Sequence, residues 1–155
     1  MSDRDVVLHA SGIVRSFQMG RETIEVLRAL DLELRRGERV RVVGSSGSGK
    51  TTMINVLGLL DRPQGGSVQL LGEDAVRCGA ARRNALRNRG IGFIFQFYNL
   101  VNEVTALDNV LLPAMIGSSL LRWRGRRPAA RHRAAELLEQ VGLADRMRHR
   151  PQELS

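Results

Sequence analysis

The spacing of apolar positions changes along the chain, and each change marks an element. Residues 6–17 carry Val6, Leu8, Ala10, Ile13 and Val14 in a pattern that predicts a short extended pair broken at Ser11-Gly12. Residues 24–34 alternate, with Leu30, Leu32 and Leu34 on one side, so this front section predicts a small antiparallel sheet. After the turn at Arg35-Arg36-Gly37-Glu38, the β-branched run Arg39-Val40-Arg41-Val42-Val43 predicts a strand. A glycine-rich loop follows, then an apolar helix from Lys50 that stops before Pro63; Gly65-Gly66 turns the chain into a strand at Ser67-Val68-Gln69-Leu70-Leu71.

The second half is more helical. Residues 80–88 are polar, Arg-rich and helical in pattern, whereas Ile91-Gly92-Phe93-Ile94-Phe95 is a near-continuous apolar run that predicts a buried strand. From Thr105 a helix is expected, with Thr105 as N-cap and Asp108 three residues on. Residues 128–141 predict another amphipathic helix, with Ala134, Leu137, Leu138 and Val141 on one side and Gly142 ending it. No internal repeat or low-complexity linker interrupts the order.

Composition narrows what such a chain does. At 155 residues it is one domain or part of one. No apolar run is long enough to span a bilayer, and Met1-Ser2-Asp3-Arg4-Asp5 is charged with no apolar core behind it, so neither a membrane span nor a signal peptide is expected and the cytosol is. A lone Cys78 has no partner for a disulfide within the chain and is expected to be a small apolar residue. The net charge of +8 raises nucleic acid or an anionic membrane as a partner. Its distribution weakens that case, because 23 of the 24 basic residues are Arg, scattered from Arg4 to Arg150 among 16 acids. Only six aromatics are available for base stacking, and four of them (Phe93, Phe95, Phe97 and Tyr98) lie in one stretch, so no nucleic acid is expected. The single lysine, Lys50, sits inside the glycine-rich stretch, where a compact ammonium on a flexible stem has a use that Arg does not serve.

That stretch carries the chemistry. Gly44-Ser45-Ser46-Gly47-Ser48-Gly49-Lys50-Thr51-Thr52 fits the P-loop pattern in the strand, loop, helix order that the pattern requires. The glycines let the loop curl so that successive amides point inward, the helix adds its positive end, and Lys50 supplies a full charge to the outer phosphates. The Thr51 hydroxyl is a suitable oxygen ligand for Mg²⁺.

Further stretches lie around the loop in a fixed order: Leu57-Gly58-Leu59-Leu60-Asp61-Arg62-Pro63 with Gly66, then Gly92-Phe93-Ile94-Phe95-Gln96-Phe97-Tyr98-Asn99-Leu100, then Thr105-Ala106-Leu107-Asp108-Asn109-Val110, and finally Pro151-Gln152-Glu153-Leu154-Ser155. Together they resemble the ATP-binding subunit of an ABC transporter, most closely the lipoprotein-releasing and macrolide-export type. The resemblance runs from about Val6 to the last residue. It implies an α/β fold, that of the P-loop ABC ATPases, present incompletely: an antiparallel β part, the P-loop strand and helix, and the start of the helical subdomain. It implies an ATP-binding core portion over about 1–95 and a glutamine loop with helical subdomain over about 96–155. By position it gives Phe17 the role of adenine platform, where the family usually has Tyr, and Gln96 that of the glutamine touching Mg²⁺ or the attacking water. Asp108 stands where Glu is commoner, with no expected consequence beyond capping.

The same resemblance implies ATP and Mg²⁺ as ligands, a transmembrane permease as partner, a homodimer of the complete protein, and a place on the cytoplasmic face of the inner membrane. Leu154-Ser155 match the first two residues of the family signature, and the signature glycines, Mg²⁺-binding Asp, catalytic Glu and switch His have no counterpart within the chain. His9, His132 and His149 all precede that point. The expectation is therefore a fragment, a truncated frame or a remnant that binds ATP and does not hydrolyse it alone, with no catalytic residue of its own. Val40, Val42 and Val43 would then lie at an open sheet edge. The alternative is a basic module for nucleic acid or anionic lipid in which the P-loop is vestigial.

Overall fold

A computed structural model describes residues 5–154, in two units, Met1–Gly92 and Phe93–Ser155. In the first unit, strand β1 (Val6–Met19) lies antiparallel between β2 (Glu22–Arg35) and β3 (Gly65–Leu70), and β3 pairs with the short β4 (Glu73–Asp74), giving the order β2-β1-β3-β4. Residues 6–17 are thus part of one long strand and not a broken pair. Ser11-Gly12 bulges the strand instead of ending it, because the register slips between Ala10 and Ile13 while pairing resumes on both sides. The amide of Gly12, φ +60°, donates to Asp31 Oδ1 at 2.7 Å. That bond is the main reason the Asp31 carboxyl lies below the usual carboxylate range.

Alternation along the strands buries Leu8, Ala10, Ile13, Val68 and Leu70. Val56 and Leu57 of helix α1 (Lys50–Leu57) and Leu86 of α2 (Ala80–Gly90) complete the same cluster. Beyond α1, Leu59 takes a left-handed turn at φ +59°, and its carbonyl accepts from Arg87 Nη1 at 2.9 Å, which ties α2 to the end of α1.

Two predicted strands do not form. Residues 39–43 and 91–95 are irregular, with Val43 73% exposed and Ile94 fully exposed. An apolar run becomes a strand only where neighbours take up its amides and carbonyls on the ladder. The sheet that forms is antiparallel, and neither run belongs to it.

In the second unit, α3 (Ala106–Ile116) and α4 (Leu120–Gln140) share a cluster of Ala106, Leu107, Leu111, Ala134 and Leu138. Thr105 caps α3 as its sequence predicts: its Oγ1 accepts from the Asp108 amide at 3.1 Å and donates to Asp108 Oδ2 at 2.6 Å. Asn109 fastens the preceding loop, its side chain accepting from the Val101 amide at 2.9 Å and donating to the Thr105 carbonyl at 3.0 Å. Thr105→Ala removes the cap and is expected to cost about 0.5–2 kcal/mol, read as a lower denaturation midpoint; Thr105→Ser keeps the oxygen and should cost little.

Helix α4 starts at Leu120, not at Pro128, so the proline lies inside it. Its ring deprives the Arg124 carbonyl of an intrahelical donor, a loss that water can offset because both residues are exposed. The buried stripe is also narrower than predicted: Ala134 and Leu138 are inside, whereas Leu137 is 39% and Val141 68% exposed. Gly142, φ +74°, closes the helix as expected, its amide donating to Glu139 O at 2.9 Å and that of Leu143 to Leu138 O at 2.8 Å.

Candidate functional site: the glycine loop

Residues 44–52 join irregular backbone to α1 within the first unit. Lys50 opens the helix, yet its ammonium folds back over the loop, donating to Gly44 O at 2.9 Å, Ser45 O at 2.6 Å and Ser48 Oγ at 3.4 Å. One full positive charge thus sits among loop oxygens with no carboxylate partner among the described residues. Gly49 is the N-cap, at φ +90°; it offers no side-chain acceptor, and the first turn contains no acid, so the opening amides of α1 are capped neither within the helix nor by its N-cap side chain. Both features suit a multiply charged anion.

Local contacts explain two of the glycines. A Cβ on Gly44 would come within 2.7 Å of Ser48 Oγ, and one on Gly49 within 2.8 Å of Val26 Cγ1 and 3.3 Å of the Val26 carbonyl. Val26 is the extra residue of a β2 bulge, since Arg15 pairs with Leu27 and Ser16 with Glu25. Bulges re-aim the chain beside binding sites, and this one sets β2 against the loop. Sequence alternation cannot reveal it, so Val26 escapes the sequence reading. Gly47, at φ +78°, meets nothing and is needed for its backbone conformation alone.

Ser45, Ser46, Ser48 and Thr51 are exposed, and Thr52 is half-buried. An open cleft of about 390 Å³ borders the loop, apolar at Leu27, Val42, Val43 and Met53 and charged at Arg28 and Lys50. Among the described residues no group of three or more His, Cys, Asp or Glu could hold a metal, so a cation here would depend on hydroxyl oxygens and on its own ligand.

Phe17 lies near the end of β1, paired with Ile24 on β2, two residues before Val26. It is 39% exposed, which leaves ring surface open. Arg15 places its Cζ 4.7 Å from the ring centroid and bonds Asp61 Oδ2 at 2.9 Å. The sequence reading passes over Arg15, although strand spacing of two residues puts it on the Phe17 face. Gln96 belongs to the second unit, exposed on irregular backbone. Leu154 is half-buried against the second unit's cluster, and Ser155 lies outside the described residues. No described helix is long and apolar enough to cross a membrane.

The family model described as "ABC transporter" matches residues 27–155. The lipoprotein-releasing system ATP-binding protein LolD of Pseudomonas syringae pv. tomato is 48% identical over all 155 residues, which span 65% of its length. The macrolide export ATP-binding/permease protein MacB of Bartonella henselae is 44% identical over 152 residues, 97% of this chain and 22% of its own. Among solved structures, a dimeric post-hydrolysis state of an ATP-binding cassette bound to ADP and Pi superposes with a TM-score of 0.80 at 33% identity, covering 96% of this chain and 63% of that one.

Proposed function

The chain belongs to the ABC transporter family, and from that premise we propose that residues 44–52 hold the phosphates of ATP·Mg²⁺. The observation that supports this best is the Lys50 ammonium, gathered into the loop by Gly44 O and Ser45 O with no acid among the described residues to neutralise it. A polyphosphate offers that ammonium anionic oxygens in place of neutral carbonyls, and charge-assisted bonds are the stronger kind. The loop amides and the α1 N-terminus would take further phosphate oxygens, and the Thr51 hydroxyl would be an Mg²⁺ ligand. Bound Mg²⁺ supplies positive charge to the outer phosphates. Phe17 would stack on the adenine.

The protein of which these residues form part works, on this reading, as the ATP-binding subunit of an exporter of the lipoprotein-releasing or macrolide type. It would dimerise and act through a transmembrane permease on the cytoplasmic face of the inner membrane. Residues 1–155 by themselves would bind ATP and not turn it over, since no carboxylate among them is assigned to polarise the attacking water. A vestigial P-loop on a basic nucleic-acid module is the less economical account, because the family match runs through the loop and on to Ser155.

Two results test this. Phe17→Ala should weaken ATP and GTP alike by about 1–3 kcal/mol, since stacking reads the π-face and not the base edge. Unchanged affinity in fluorescent-nucleotide titration would return Phe17 to a packing role. Phosphate release by the purified chain should match that of its Lys50→Ala variant at background, and a Lys50-dependent rate would overturn the second half of the proposal.

A further inference from the structure

Among the described residues the Arg15 side chain meets Phe17 and Asp61 and no residue of the glycine loop, and these contacts bear on the platform beside the loop. Its guanidinium lies 4.7 Å from the Phe17 centroid, its Nη2 reaches Asp61 Oδ1 at 3.1 Å and Oδ2 at 2.9 Å, and its side chain is only 22% exposed. Asp61 is itself fixed, accepting from the Arg62 amide at 2.7 Å just beyond α1. The Arg15 Nε is buried without a partner, so the guanidinium is held in a partly desolvated position where an aromatic face is one of its few available partners.

We infer that Arg15 is the positioning residue of the nucleotide-binding site: clamped by Asp61, it covers one face of Phe17 and fixes the ring so that the other face receives the base. This rests on Phe17 being the adenine platform. A ring near the end of a strand and 39% exposed would otherwise lose side-chain freedom on binding, which weakens affinity. With Arg15 in place that freedom is already lost in the free chain. The Arg15 side chain meets Phe17 and Asp61 and no described residue of the glycine loop, so its effect should depend on the base.

The test uses the full chain in four forms, wild type, Arg15→Met, Phe17→Ala and the double variant, titrated with ATP and with inorganic tripolyphosphate. Arg15→Met keeps an unbranched apolar stem and loses the planar cation. It should weaken ATP about two- to fivefold and leave tripolyphosphate unchanged, and it should add nothing once Phe17 is Ala. Arg15→Lys, which keeps an ion pair to Asp61, should recover part of the loss. If Arg15 serves only to hold β1 to the end of α1, both ligands weaken together, and the inference fails. If Phe17→Ala weakens ATP while Arg15→Met does not, or tightens it, the inference fails and the platform stands. If Phe17→Ala has no effect, the platform and the inference fall together.

Discussion

Gly66→Ala should destabilise the chain by about 3 kcal/mol or more, where Gly12→Ala should cost about 1–2 kcal/mol. Both glycines have positive φ, +87° and +60°, so each substitution meets a conformational penalty, the larger one at Gly66, which lies farther from the left-handed well. They also differ in space. A Cβ on Gly66 would drive into the Gly12 carbonyl and lie 2.5 Å from the Ser11 carbonyl oxygen, and both obstacles are backbone. A Cβ on Gly12 has its nearest neighbour at 3.9 Å. Relief at Gly66 therefore requires β1 and β3 to part where they pair, Ser11 opposite Ser67. That strain reaches the cluster of Ile13 and Val68, both fully buried. Denaturant midpoints of the two variants decide it; equal losses would mean that conformation, and not close approach, selects Gly66.

The second large effect is on binding. Lys50→Ala removes the one ammonium from the loop, and a charge-assisted bond contributes about 1.5–3 kcal/mol, so ATP affinity should fall tenfold or more. The geometry adds a reason beyond charge. In the free chain Lys50 bridges Gly44 O, Ser45 O and Ser48 Oγ, so the loop's curvature also rests on it. Lys50→Arg would restore charge but not shape, since a planar fork cannot gather the same oxygens as a compact point charge. It should bind more weakly than wild type. Equal dissociation constants for wild type and Lys50→Ala would remove the basis for assigning the loop to phosphate.

What the sequence made legible is local. The loop could be found because its glycines and Lys50 act within nine residues, and the Thr105 cap and the Gly142 terminus because each satisfies backbone groups one turn away. Where an element depends on distant partners the sequence misled. Val40, Val42 and Val43 have the residues of a strand, and so does the run from Ile91 to Phe95, but pairing is decided elsewhere and neither lies in the sheet. The bulges of β1 and β2 were invisible for the same reason: Val26 becomes an extra residue only in register with Arg15 and Ser16. Pro128 misled by suggesting a helix start, a role it has often but not here. The neighbourhood of the glycine loop was therefore less legible than the loop itself.

On the function proposed above, the glycine loop cradles a chain of phosphates. The most direct measurement of this is the affinity of the 155-residue chain, with Mg²⁺ present, for ATP, AMP and inorganic tripolyphosphate in parallel. ATP and tripolyphosphate should bind, and AMP, with the same base and a single phosphate, should bind at least tenfold more weakly than ATP. AMP binding as tightly as ATP, or no binding of either polyphosphate, would contradict it.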